Sequence, residues 1–336
     1  MSNIYDIAEQ AGVSIATVSK VINDKPDVSE KTKEKVRKIM KENNYIPNSV
    51  ARSLSTSKSG SIGIISNYKH EEGLHNMFFH EIVYGMEKVL GKAGFDYVYF
   101  SDHKWHDTYD YDYLGKCKNR LVDGAILLGI HQDKNMKRLL DSDISVVLID
   151  LGISNRSSSN VMCTHKKGAE QAVNYLAKLG HKDIGVIGPK NINPALIRLE
   201  GFIKALKQNG LKYREDWSVA SSFDEITGYK AMNKILAMKE QPTAIFCQCD
   251  VIAVGAIKAI KDAGKNVPDD FSIIGFDNIE LCKYITPALT TVSQNTYQIG
   301  EEAAGLLLKM IETPQKEYPP IILETELIVR DSCKKI

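Results

Sequence analysis

The stretch that most constrains this chain is Ile4 to Lys20, IYDIAEQAGVSIATVSK. Ile4, Ile7, Ala8 and Ala11 recur at the helical period and form one apolar stripe. Asn3 is a suitable N-cap, and Asp6 falls in the first turn beside the positive end of the helix dipole. Gly12 can take the left-handed conformation that stops such a helix, and Val13 plugs the turn. Ser14 then caps a second helix whose Val18, Val21 and Ile22 face back toward the first. This is the pattern of a helix-turn-helix, with its second helix offered to a DNA major groove. The outward residues Ala16, Thr17, Ser19 and Lys20 are small or hydrogen-bonding, as base edges and phosphates require. An ordinary helical hairpin would carry the same stripe. Ile15 fits either account, because it stands at helical spacing from Val18 and Ile22.

Asp6 to Asn23, DIAEQAGVSIATVSKVIN, resembles the start of a LacI/GalR-family transcription regulator. Val28-Ser29 with Thr32 opening a third helix, Tyr45-Ile46-Pro47-Asn48 and Ala51-Arg52-Ser53-Leu54 extend the likeness. The resemblance implies a DNA-binding head over residues 1–46 and a hinge helix with linker over 47–60. It implies that Ile15, Ala16 and Lys20 face the bases, within a DNA-contacting set that adds Tyr5, Ser14, Thr17, Ser19, Asn48, Ala51, Arg52 and Leu54. Lys20 departs from the Arg usual at its position and lacks the bidentate fork for guanine. In the family the hinge helix forms on operator DNA and wedges the residue matching Leu54 between base pairs in the minor groove. Composition alone reads 48–61, which includes STSKSGS, as a flexible tether.

A net charge of +1 over 336 residues would not by itself suggest nucleic acid. Its distribution does: residues 1–58 hold ten Lys or Arg against seven acids, an excess of three in the head with the remainder slightly acidic. The six cysteines are scattered without a CxxC pair. Unpaired thiols in a reducing cytosol are the expectation, with no metal and no cofactor. No apolar run reaches membrane length, and the N-terminus reads as helix-turn-helix rather than a signal peptide, so a cytoplasmic protein is expected.

From Ile62 onward short apolar runs alternate with helical patterns. Strands are predicted at Ile62–Ser66, Phe95–Phe100, Ala125–Leu128, Val146–Ile149, Ile184–Ile187, Ala244–Cys247 and Ser272–Gly275. The series is too long for one simple sheet, and a split near Asn160 gives two similar halves. The segments Leu179-Gly180-His181, Val267-Pro268-Asp269-Asp270, Ile274-Gly275-Phe276-Asp277-Asn278 and Pro287-Ala288-Leu289-Thr290-Thr291-Val292 carry the family likeness along the body, to Arg330. It implies a periplasmic-binding-protein-like effector and dimerisation domain over 61–336, built of two Rossmann-like lobes. These are expected at 61–160 plus 293–322 and at 161–292 plus 323–330, with three crossings between them.

Ligands of such lobes sit at the carboxyl ends of strands. Asp150, Asp250 and Asp277 follow predicted strands and can accept from hydroxyl groups, while Arg198 can donate in a fork. Phe78, Phe79 and Phe223 offer flat apolar surfaces for a sugar face. Helix capping by Asp250 or Asp277, and core packing by Phe78 and Phe79, are the plainer alternatives. The resemblance implies that Asp150, Arg198, Phe223, Cys249 and Asp277 line an effector pocket. Cys249 stands where Asn is usual, and Thr164-His165 replace a common Asp-Asn or Asp-Tyr. A histidine-bearing loop, 67–76, precedes Met77 and reads as solvated or as a metal or anion site.

The expected function is that of a dimeric transcription regulator, a repressor of a pseudo-palindromic operator, switched by a sugar or related metabolite. The alternatives are a transport-type sugar-binding protein, which needs an export signal, and an α/β enzyme. The chain has no phosphate loop, no GxGxxG after its first strand and no nucleophile elbow.

Overall fold

The computed structural model describes residues 3–46, 58–66, 77–100, 112–129, 134–153, 155, 157–314 and 317–336. The expectations for Asn48, Ala51, Arg52 and Leu54, for the hinge, and for the loop 67–76 lie outside these residues.

Helices α1 (Ile4–Ala11), α2 (Ile15–Ile22) and α3 (Glu30–Glu42) form the head. They share a core of Ile7, Ala8, Ala11, Val18, Val21 and Val36. Each starts at a side chain that satisfies open N–H groups. Asn3 Oδ1 accepts from the backbone N–H of Tyr5 and Asp6, and the Asp6 carboxylate accepts from the N–H of Asn3. Ser14 Oγ accepts from the Thr17 N–H, and Ser29 Oγ from that of Thr32. Gly12 turns between α1 and α2 at φ 63°, a left-handed conformation that a side chain would strain. Helices of eight residues are marginal alone. The caps and the common core hold these in place.

The body runs β1 (Ser61–Ser66), α4 (Met77–Lys92), β2 (Asp96–Phe100), α5 (Tyr113–Asn119), β3 (Gly124–Leu128), α6 (Lys134–Leu140), β4 (Ser145–Ile149) and β5 (Ser158–Cys163). It continues α7 (His165–Lys178), β6 (Ile184–Gly188), α8 (Ala195–Gln208), β7 (Ser218–Ala220), α9 (Glu225–Leu236), β8 (Ala244–Cys247) and α10 (Asp250–Asp262). The last elements are β9 (Ser272–Asp277), β10 (Thr290–Ser293), α11 (Thr296–Glu312), β11 (Ile321–Leu323) and β12 (Glu326–Ile328). Among the described residues two six-stranded sheets result, ordered β11-β5-β4-β3-β1-β2 and β12-β10-β9-β8-β6-β7. The central strands are buried throughout, as parallel strands covered by helices on both faces must be.

The chain passes between sheets after β5, after β10 and between β11 and β12. All neighbours are parallel except β12, which runs antiparallel to β10. The second passage carries α11 back to the first sheet, where Ile299, Ala303 and Leu307 share a core with Ile62, Ile126 and Val147.

Among the described residues three helix pairs approach closely enough to need glycine; in one of them a Cβ on Gly201 of α8 would fall on the Lys166 carbonyl oxygen of α7. A Cβ on Gly85 of α4 would fall on the carbonyl oxygen of Tyr297, and one on Gly300 of α11 would fall on that of Ile82. Gly228 of α9 and Gly255 of α10 face Ile252 and Glu225 carbonyls in the same way. Gly305 lies on the same helix as Gly300 and has nothing within 4 Å of its missing Cβ. Gly300→Ala should therefore cost at least about 1–3 kcal/mol. Gly305→Ala should gain about 0.5–1 kcal/mol from helix propensity. Denaturant unfolding of both variants checks the contrast; equal midpoints would show that the helices can separate without loss.

Candidate DNA-reading face and interlobe cleft

On the head, α2 turns Val18 and Val21 inward and leaves Ser14, Ile15, Ala16 and Lys20 exposed, with Thr17 and Ser19 half-buried. Ile15 is 39% exposed, so the core-packing account of it does not hold. Tyr5 is exposed on α1. The loop between α2 and α3 is pinned by Asp24, which takes Lys33 at 3.1 Å and Arg37 at 2.7 Å. Hydrogen bonding by Lys33 holds the Asp24 carboxyl below the usual carboxylate range. Lys20 pairs with Asp27 of the same loop.

In the body, the carboxyl ends of β4, β8 and β9 deliver Asp150, Gln248 and Asp277. Asp150 and Asp277 both have positive φ, 61° and 119°. His165 opens α7 immediately after the first passage between sheets, and Arg198 projects from α8. These residues form one buried network. His165 Nε2 lies 2.9 Å from Asp150 Oδ1. Arg198 Nε donates to His165 Nδ1 at 3.3 Å, and Arg198 Nη1 donates to the Gln248 carbonyl and lies 3.6 Å from Asp277 Oδ1. The guanidinium stacks 3.9 Å over the Phe276 ring. Gln294, on the second passage between sheets, donates from Nε2 to Asp277 and accepts from Cys163 Sγ at 3.0 Å.

An arginine N–H only donates, so Nδ1 of His165 is an acceptor and its proton sits on Nε2, donated to Asp150. Burial alone would raise the Asp150 carboxyl; His165 and the charge of Arg198 overcome this and leave it lowered. Burial raises the Asp277 carboxyl well above the usual range, against the pull of Arg198.

Three of these residues imitate a hydrolytic centre. Cys163 Sγ is 3.2 Å from His165 Nδ1, and Asp150 orients the far nitrogen. The imitation is inert. Burial pushes the Cys163 thiol far up, its proton is committed to Gln294, and Arg198 already occupies the imidazole lone pair.

Phe78 packs against cores of both lobes, Phe79 against the first lobe and Phe223 against the second. The rings of Phe78 and Phe79 meet edge to face at 5.2 Å. Cys249 is buried at the N-cap of α10 and makes no side-chain capping bond. Asp277 does not cap a helix, since its Oδ1 takes Gln294 and Arg198. Asp250 is the first residue of α10 rather than its cap, and it turns away from the network to accept from the Thr291 hydroxyl and the Ile279 N–H.

His165, Gln248, Phe276 and Gln294 were not singled out as functional from the sequence. Only His165 gave a sign there, as a departure from the family pattern. Gln248 is 1% exposed, and its Oε1 has no hydrogen-bond partner among the described residues. A buried acceptor left open is costly. Among the described residues no group of His, Cys, Asp and Glu is arranged to hold a metal ion.

Comparison with known proteins agrees with this architecture. Residues 3–48 match the family model for bacterial regulatory proteins of the lacI family, and 173–333 match a periplasmic binding protein-like domain. The chain is 35% identical over 339 residues to an HTH-type transcriptional repressor PurR of Histophilus somni, covering 100% of both chains. The lac repressor dimer bound to operator and the anti-inducer ONPF superposes with a TM-score of 0.82 at 26% identity, over 99% of each chain. A transcriptional regulator CelR–cellobiose complex superposes at 0.74 with 28% identity, over 99% of this chain and 100% of that one. The chain therefore belongs to the LacI family. It is a DNA-binding transcriptional repressor by class and not an enzyme. Among the described residues no helix is long and apolar enough to cross a membrane.

Asp250 gives the body a pH signature. Burial, opposed by the Thr291 hydrogen bond, pushes its carboxyl up to about 6. The folded state then holds a proton that the unfolded chain releases above about pH 4. This contribution to stability is full at low pH and is lost as pH rises from about 4 through about 6. Asp250→Asn should remove it, so that wild type loses about 2–3 kcal/mol against the variant across that window. Chemical unfolding at pH 4.5 and 7 measures the difference; a constant difference would mean that Asp250 is ionised throughout.

Proposed function

We propose that this protein represses transcription as a homodimer on a pseudo-palindromic operator and that a small hydroxylated metabolite, a sugar or sugar derivative, switches it from the interlobe cleft. The head, hinge and two-lobed body are taken as 1–46, 47–60 and 61–336, with the protein at work in the cytoplasm beside the chromosome. Ile15, Ala16 and Lys20 meet base edges in this reading. Tyr5, Ser14, Thr17 and Ser19 meet phosphates or base edges beside them. Asn48, Ala51, Arg52 and Leu54 act at the centre of the operator, where Leu54 is the wedge.

Support for the DNA role comes from α2, whose outward face exposes Ile15 at 39% instead of burying it. An apolar group held outward there is available to contact a thymine methyl in the major groove. Support for the effector role comes from the network at the strand ends. Asp150 and Asp277 accept hydroxyl donors, Arg198 donates to hydroxyl oxygens, and the open Gln248 Oε1 adds an acceptor. Phe78, Phe79 and Phe223 supply apolar faces, and Cys249 a small neutral wall. The PurR and cellobiose-bound relatives differ in what they are named for, so the ligand's identity follows from screening and not from kinship.

Asp150 belongs to the first lobe while His165 and Arg198 belong to the second, so a ligand that enters between them bears on the arrangement of both. Rotation of one lobe against the other changes the spacing of the paired hinge segments and so the affinity for operator.

Selection from a randomised DNA pool, followed by binding anisotropy at several salt concentrations, tests the reading. A palindromic sequence bound far more tightly than bulk DNA, with a steep salt slope, is expected. No enrichment, with or without metabolites, would sink it. Arg198→Ala should bind the same operator while losing the response to any metabolite that shifts the wild type. A normal response would place the ligand elsewhere.

A further inference from the structure

Lys20 Nζ lies 2.5 Å from Asp27 Oδ2. The two side chains are 50% and 55% exposed, and a pair so exposed adds little to stability. An acid beside the outward face of α2 also repels phosphate, so on electrostatic grounds alone Asp27 is a liability for DNA binding. Ile15 and Ala16, the other residues read as facing bases, carry no charge. Beside the hydroxyls of Ser14, Thr17 and Ser19, the ammonium and the carboxylate are therefore a charged signal this face offers to the floor of a groove.

We propose that Lys20 and Asp27 act as one unit that reads a single G·C base pair, with Asp27 a specificity-determining residue. The inference rests on the reading of α2 as the helix that enters the major groove. In that groove guanine shows N7 and O6 as acceptors, and cytosine shows its N4 amino group as a donor. O6 and N4 are themselves hydrogen-bonded, so they lie about 2.9 Å apart. An ammonium beside a carboxylate oxygen presents a donor next to an acceptor at nearly the same separation, the complement of that edge. Lys20 would give its free N–H groups to O6 and N7 while Asp27 accepts from N4.

An A·T pair also sets an acceptor, thymine O4, beside a donor, adenine N6. There, however, the ammonium meets the thymine methyl instead of a second acceptor, and the carboxylate lies beside adenine N7, another acceptor. Inverting the pair to C·G sets the carboxylate against O6. A lone lysine is a point charge that any acceptor satisfies. With one N–H fixed on Asp27 the remaining donors gain a direction, which replaces part of the fork an arginine would bring.

The test uses the full chain and the operator found by selection, with each of the four base pairs placed in turn at every position of both half-sites. Wild type should favour G·C by about tenfold at one position per half-site. Lys20→Ala and Asp27→Asn should both flatten that preference, while Asp27→Asn binds the remaining duplexes more tightly because a negative charge is gone. Asp27→Asn is isosteric and exposed, and an unchanged circular dichroism spectrum confirms an intact head. If Asp27→Asn tightens every duplex by one factor and keeps the preference, while Lys20→Ala removes it, the pair does not read together and the inference fails although Lys20 keeps its base. If neither variant changes any preference, the inference fails together with the reading of Lys20 as a base contact.

Discussion

A guanidinium taken out of water has to be matched on every side, and Arg198 is where this protein meets that demand. It is 2% exposed, with Asp277, the Gln248 carbonyl and His165 on its polar edges and the Phe276 ring on its face. A buried charge left without partners would be strongly destabilising. The partners come from β8, β9 and the start of α7, so the strand ends must stay in register for the charge to be tolerated. Asp150 joins through His165, and with it the first lobe becomes part of the same account. The network thus concerns lobe arrangement as much as one buried charge.

The head solves a different problem with different means. Too small for a large core, it relies on three short helices that each begin at an oxygen-bearing side chain and on six buried aliphatic or small residues. Its loop is tied to α3 by Asp24 with Lys33 and Arg37, and to the outward side of α2 by Asp27 with Lys20. Function is carried by what the packing leaves outside.

Much of this was legible in the sequence because local chemistry determined it. Asn3, Gly12, Ser14 and Ser29 act at the helix ends where their side chains or lack of one suggest. The strand at Ala244–Cys247 begins and ends where the apolar run does. Short elements escaped: α5, β7, β11 and β12 are too brief for periodicity, and β5, SSNVMC, carries a polar start that reads as loop until sheet burial hides it. In the cleft, Asp150, Arg198 and Asp277 were recognisable as strand-end acids and a fork donor. His165, Gln248 and Gln294 were not, because their roles come from contacts across 33, 50 and 17 residues of chain respectively. Asp250 shows the converse. It looked like its neighbours in sequence and was turned inward by Thr291.

The Cys163, His165 and Asp150 arrangement has a wider consequence. Any search that recognises hydrolases by the positions of three side chains would claim this cleft as one. Heavy-atom geometry is matched here; proton ownership is not, because one donor from Arg198 has filled the lone pair on which the chemistry would depend. Two proteins can therefore share the positions of three side chains and differ in whether the thiol can ionise and where the protons sit.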